Sequence, residues 1–323
     1  MRTFPQLQQR IQLVFKQLQL PESPAELYQP IEYTLSLGGK RLRPLLTLIA
    51  CEMFGGKMEE AINPAIGIEL FHNFTLLHDD IMDDAPLRRG KETVYKKWNS
   101  NIAILAGDTM FALANKYLLQ IRMEYIAEIS GLFNQTAIEV CEGQQWDMNF
   151  EKQEIVSIKE YLEMIRLKTA VLLAASLKTG AIIAGADAAN ADKIYSFGIH
   201  TGLAFQLKDD LLDVYGMQDK FGKVSGGDIV ACKKTFLYLK ALELSGNKAA
   251  DFKELYCSSA LEATSKVKQV KTIFDELGIE NMVRLEIELY FQKALDELTA
   301  IHLPEERKAL LRDFVSNLMT REN

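Results

Sequence analysis

Phe71-His72-Asn73-Phe74-Thr75-Leu76-Leu77-His78-Asp79-Asp80-Ile81-Met82-Asp83 is a run of core-type residues that ends in three carboxylates. The same pattern returns far downstream as Gly202-Leu203-Ala204-Phe205-Gln206-Leu207-Lys208-Asp209-Asp210-Leu211-Leu212-Asp213. Apolar residues recur at helical spacing in both, and neither contains a proline. On a helix, residues four apart share a face with a rise of roughly 6 Å, so Asp79 with Asp83, and Asp209 with Asp213, can aim two carboxylates at one object. A solvated helix face is the alternative, and the apolar flanks argue against it. Like charges at this spacing repel, and unpaired carboxylates in apolar company are costly. A hard divalent cation relieves both problems through oxygen ligands.

Carboxylates without thiolate or imidazole partners point to Mg²⁺. No stretch has the alternating ligands, central Gly and final Glu of a calcium loop. Because Mg²⁺ keeps waters and binds through one or two carboxylates plus substrate phosphates, the two motifs predict a phosphorylated ligand gripped from both sides. The intervening chain then folds around one site, which predicts a single domain over residues 1–323 with a central cavity. No Pro-, Gly- or Ser-rich linker or low-complexity segment interrupts the chain.

Working outward, helical spacing continues over 45–54, 61–83, 101–122, 126–149, 161–180, 188–215 and 235–244. Gly55-Gly56, residues 87–90, 185–187 and 216–227 supply the turns between them, and no stretch sustains strand alternation. Residues 250–323 add amphipathic helices suited to packing. The reading is an all-α helical bundle.

Positive charge for phosphate stands at Gly38-Gly39-Lys40-Arg41-Leu42-Arg43-Pro44, a glycine turn running into three cations, and at Arg88-Arg89-Gly90 just beyond the first acidic motif. The former lacks the spacing of a P-loop.

Together these motifs resemble the trans-isoprenyl diphosphate synthases. The resemblance runs from about Ile31 to Thr235 and takes in Gly107-Asp108, Glu142-Gly143-Gln144, Lys168-Thr169 and Gly226-Gly227-Asp228 in order. Two positions depart from the family pattern: Cys232 stands where Gly is usual, and Phe236 where Leu is usual, while Lys233 and Thr235 match. The resemblance implies the isoprenoid synthase fold and a prenyltransferase. An allylic diphosphate (dimethylallyl, geranyl or farnesyl) loses diphosphate, the double bond of isopentenyl diphosphate attacks the allylic cation, and a proton leaves. Geranylgeranyl (C20) or farnesyl (C15) diphosphate would result.

Carried onto this chain, the resemblance makes Asp79, Asp83 and Asp209 direct Mg²⁺ ligands and Asp80, Asp210 and Asp213 direct or water-mediated partners, with Asp84 behind them. Lys40, Arg43, His72 and Arg89, beside Gly39, would hold isopentenyl diphosphate. Arg88, Lys168, Lys223 and Lys233 would grip the allylic diphosphate. Lys168-Thr169 and Gln206 would set a kink carbonyl and an amide oxygen near the allylic carbon, where partial negative charge stabilises a cation without attacking it. His72 lies seven residues before Asp79, on nearly the same helix face. Phe74 sits roughly 7.5 Å back along the helix from Asp79 and Thr75 almost directly beneath it, so both are candidates for the floor that limits chain length.

Two other functions share this fold: a terpene cyclase, and a non-catalytic subunit of a heteromeric prenyl synthase. The cyclase needs no second diphosphate site, so Lys40, Arg43 and Arg89 speak against it. Both acidic motifs are intact, which a non-catalytic subunit would not require.

A net charge of -7 with no basic stripe argues against nucleic acid. Cys51, Cys141, Cys232 and Cys257 lack metal or redox spacing and read as reduced thiols of a cytoplasmic protein. The first twenty residues read as a polar amphipathic helix, neither a signal peptide nor a membrane span. A homodimer is expected by family analogy.

Overall fold

Each long periodic stretch forms a helix, because its apolar residues can be buried on one stripe while the backbone bonds to itself. The computed structural model describes residues 2–216 and 226–320. In chain order the helices are α1 (Phe4–Gln17), α2 (Ala25–Ser36), α3 (Leu42–Met53), α4 (Met58–Met82), α5 (Val94–Lys97), α6 (Ser100–Leu118), α7 (Ile126–Lys152), α8 (Ile158–Ile165) and α9 (Val171–Ile183). They continue as α10 (Ala188–Tyr215), α11 (Gly227–Val230), α12 (Phe236–Leu244), α13 (Ala249–Tyr256), α14 (Ala263–Glu276), α15 (Ile279–Ala300) and α16 (Glu305–Thr320). Among the described residues, no helix is long and apolar enough to cross a membrane.

The chain packs as two units, each drawn from three segments. The first comprises Met1–Thr136, Ala175–Tyr195 and Ile301–Leu311; the second comprises Ala137–Ala174, Ser196–Ala300 and Arg312–Asn323. In the first unit α4 lies against α3 and α6. A side chain at Gly67 would come within 2.7 Å of the Ala114 carbonyl, so glycine is what lets α4 approach α6 so closely. In the second unit Tyr238, Phe252, Tyr256 and Phe274 form an aromatic core against α10 and α15 residues such as Leu207 and Val283.

Three local features depart from the sequence reading. Leu87–Arg88 (β1) and Lys91–Glu92 (β2) pair as a two-stranded antiparallel hairpin. Its loop is Arg89-Gly90, with φ of 54° and 75°, the double left-handed geometry that a two-residue hairpin turn needs. Secondly, the helical stretch 161–180 is interrupted by one π-helical turn, Arg166–Ala170. The third is a correction: Cys232 and Cys257 form a disulfide, with Cα atoms 5.1 Å apart. These cysteines are not reduced thiols, and the cysteine count no longer argues for a reducing compartment. Their spacing in sequence hides the pairing, because only the packing of α13 against α12 and α14 brings Cys257 to the loop after α11.

Candidate active site

The first acidic motif occupies the last turn of α4. Asp79 is half-buried and Asp83, the residue that closes the helix, is exposed. Asp80 is 5% exposed and turned to the hairpin, where Arg88 grips it: Nε lies 2.8 Å from Oδ1 and 3.0 Å from Oδ2, and Nη2 lies 2.7 Å from Oδ1. Burial raises the Asp80 carboxyl above the ordinary range, and Arg88 opposes that shift. Arg88 and Asp80, assigned from sequence to diphosphate and metal, are thus each other's partner here. Asp84 accepts hydrogen bonds from the Tyr95 hydroxyl (2.9 Å) and the Lys96 ammonium (3.2 Å).

The cationic group lies in the same unit. Arg89 donates to the Gly38 carbonyl, and its guanidinium fills the space where a Cβ on Gly39 would sit, 2.7 Å away. Gly39 has φ of 124°, so the backbone demands glycine. Lys40 is exposed. Arg43 approaches His72, Nη1 to Nε2 at 3.1 Å. Arginine has no acceptor, so the imidazole must receive this bond as a neutral ring. Burial, and then Arg43, Arg89 and Arg88 nearby, hold His72 well below its usual pKa. His72 therefore orients Arg43 rather than presenting a charge. Glu69, 4% exposed, is the anion buried among these arginines.

Below the acidic motif on α4, Phe74 packs in a ring cluster with Phe71 (5.6 Å between centroids), Phe111 (5.4 Å) and His78 (4.7 Å). Thr75 turns its hydroxyl back to the His72 carbonyl at 2.8 Å.

The second unit holds a cavity of about 400 Å³ whose lining includes Asp147, Lys168, Thr169, Gln206, Asp210 and Lys233. The π-helical turn supplies Lys168 and Thr169, as single π turns at functional sites do. Gly143 of α7 makes room for it, since a Cβ there would stand 2.3 Å from the Lys168 nitrogen. Lys168 pairs with Asp147 at 2.5 Å. Gln206 donates to Asp210 (3.0 Å) and receives from Thr169 (3.1 Å). Asp210 is 5% exposed and also receives the Tyr161 hydroxyl. Burial, followed by the nearby Asp228 carboxylate, pushes Asp210 up to about 7. Asp209, one position earlier, is exposed. Asp213 accepts the Asp228 backbone N–H at 2.9 Å, at the start of α11.

Lys233 is held by its backbone, whose carbonyl receives the Tyr256 hydroxyl at 2.8 Å. Lys223 lies outside the described residues. Among the described residues, no three His, Cys, Asp or Glu side chains close on one point. The two acidic motifs offer carboxylate oxygens and no thiolate or imidazole, the hard donors that a cation such as Mg²⁺ takes.

Residues 24–277 match the model of the polyprenyl synthetase family. The chain belongs to that family. As a polyprenyl synthetase it is 36% identical over 302 residues to the geranylgeranyl diphosphate synthase of Methanosarcina mazei, covering 93% of this chain and 91% of that one. It is 39% identical over 242 residues to the geranylfarnesyl diphosphate synthase of Natronomonas pharaonis, covering 69% and 71%. A crystal structure of a geranylgeranyl pyrophosphate synthase superposes with a TM-score of 0.96 at 45% identity over 100% of both chains. The isoprenoid synthase fold and prenyltransferase activity follow.

Three side chains of this polyprenyl synthetase escaped the sequence reading. Asp147 lies one helical turn after Gly143-Gln144, a motif read only as part of the resemblance. Asp228 belongs to Gly226-Gly227-Asp228, where the sequence alone gives it no role. Tyr161 carried no signal at all, since a tyrosine on an amphipathic helix is ordinary core until its hydroxyl finds a partner.

Proposed function

We propose that this prenyltransferase condenses isopentenyl diphosphate with allylic diphosphates and delivers mainly the C20 product, geranylgeranyl diphosphate. The observation that carries the reading is the cavity of the second unit, where Lys168 and Lys233 stand with Asp147 and Asp210 beside the oxygens of Thr169 and Gln206. Cations and carboxylates there suit a metal-bound diphosphate, and the neutral oxygens suit a carbocation.

Lys168 and Lys233 bind the allylic diphosphate, with Lys223 assigned to the same task. Asp79, Asp83 and Asp209, with the other motif carboxylates supporting them, would hold Mg²⁺, which would supply positive charge for the leaving diphosphate. The allylic C–O bond breaks with both electrons staying on diphosphate. Thr169 and Gln206 direct partial negative charge at the allylic carbon, and Phe150, Met164 and Ile165 line the cavity with carbon that excludes water. Lys40, Arg43 and Arg89 anchor isopentenyl diphosphate, His72 orients Arg43, and the π electrons of the bound alkene form the new C–C bond. A proton then passes to an oxygen of the departed diphosphate.

Phe74, ringed by Phe71, Phe111 and His78, with Thr75 above it, sets the length limit. Both units belong to one catalytic domain over 1–323 in this reading, since α7, α9, α10 and α16 each contribute residues to both. Exposed Ile104 and Leu105 on α6 support a homodimer. Incubation with isopentenyl diphosphate, labelled allylic starters and Mg²⁺ should yield a linear C20 diphosphate on chromatography. A cyclised hydrocarbon, or no turnover with any starter, would refute the proposal.

A further inference from the structure

Tyr161 sits on α8, seven residues before Lys168, and is 2% exposed. Its position is secured by a capping box at the start of α8. The Glu160 N–H donates to Ser157 Oγ at 3.2 Å, and the Ser157 N–H donates to Glu160 Oε2 at 2.7 Å. The ring packs in an apolar cluster with Phe150, Met164 and Ile165, which a phenylalanine would fill equally well. The hydroxyl is the one polar atom of the side chain, and it donates to Asp210 Oδ2.

From there the bonds form a chain. Asp210 Oδ1 accepts Gln206 Nε2 at 3.0 Å, and Gln206 Oε1 accepts the Thr169 hydroxyl at 3.1 Å. Each link fixes the next. The NH₂ of Gln206 can only donate and its oxygen can only accept, so Nε2 on Asp210 Oδ1 leaves the amide oxygen to receive the Thr169 hydroxyl. With both oxygens of Asp210 engaged, the carboxylate cannot rotate without breaking a buried hydrogen bond. The amide oxygen of Gln206 and the hydroxyl of Thr169 are thereby held at the cavity.

We infer that Tyr161 is a positioning residue for prenyl transfer: through Asp210 it fixes the orientation of the Gln206 amide and, with it, the Thr169 hydroxyl. The inference rests on the reading that Thr169 and Gln206 face the reacting allylic carbon. Tyr161 touches no reacting atom and acts only along this chain. Losing the hydroxyl leaves one oxygen of Asp210 without its donor, frees the carboxylate to turn, and lets the amide lose its register.

The test is a double-mutant cycle on the full-length enzyme with Tyr161→Phe, Gln206→Ala and the pair, measuring kcat, the KM for isopentenyl diphosphate and the melting temperature. Tyr161→Phe alone should lower kcat by roughly tenfold or more, as expected for a buried hydrogen bond to a carboxylate, with the KM for isopentenyl diphosphate unchanged. In the Gln206→Ala background the same substitution should cost no further kcat. Wild-type kcat in Tyr161→Phe, equal losses in the two backgrounds, or a variant that no longer folds would each overturn the inference, the last by assigning the hydroxyl to stability. Gln206→Ala alone separates this from the underlying reading. If Gln206→Ala is slow while Tyr161→Phe is normal, only the role of Tyr161 falls; if Gln206→Ala turns over normally, the reading of Gln206 at the allylic carbon falls as well.

Discussion

Arg88 lays two nitrogens of its guanidinium on the Asp80 carboxylate, Nε at 2.8 Å and Nη2 at 2.7 Å from the same oxygen. The pair ties the hairpin after α4 to the acidic motif itself. Removing the arginine strands a carboxylate that is 5% exposed. Arg88→Ala should therefore destabilise the protein by about 3 kcal/mol, toward the range for breaking a buried ion pair. Urea denaturation of the two proteins measures it, and an unchanged midpoint would show that water replaces the arginine.

Asp79 and Asp209 are the motif carboxylates proposed to meet Mg²⁺ directly. Asp79→Ala and Asp209→Ala should each lower turnover by orders of magnitude while far-ultraviolet circular dichroism keeps the helix content of the parent. Near-parental rates in either variant would contradict the metal assignment.

Phe74 owes its place to three aromatic neighbours, so its removal opens a space that Phe71, Phe111 and His78 border. Phe74→Ala should shift products beyond C20 while ionisation of the allylic starter continues. Chromatography of the extracted products decides this, and an unaltered chain length would take Phe74 out of the floor.

Asp210 links pH to stability. Its carboxyl is pushed up to about 7 in the folded protein, chiefly by burial, against roughly 3.9 in the unfolded chain. Between those values the folded state binds more protons than the unfolded state, so this group's contribution to stability is full below about 4 and is lost as pH rises through about 7. The melting temperature of the protein without Mg²⁺ or substrate should fall over that window, and Asp210→Asn should flatten the fall. Identical pH profiles for the two proteins would refute the shift.

Cys232 and Cys257 close a loop with a sequence separation of 25 residues. Unreduced protein, denatured, should titrate two thiols, and four after reduction, with reduction lowering stability by about 3 kcal/mol. Four thiols before reduction would exclude the bond.

Much of the site was legible because its signals are local. The acidic motifs announce themselves by charge at helical spacing within apolar flanks, and Gly38-Gly39 and Arg88-Arg89-Gly90 by turn chemistry beside cations. What stayed hidden depends on partners remote in sequence. The pairing of Arg88 with Asp80 is one such contact, because nothing in their order reveals that a hairpin folds one onto the other. Gly143 betrays no reason for being glycine until the π-helical turn of Arg166–Ala170 packs on it.

The amino-acid order alone determined that this chain is helical nearly throughout, where most helices run, and that carboxylates and cations gather near two of them, since periodicity and turn chemistry act over a few residues. Tertiary structure decided which of those charges neutralise one another, which tyrosine reaches a carboxylate and which cysteines join. Those outcomes depend on how distant segments pack, and close packing brings together side chains whose order along the chain carries no trace of the meeting.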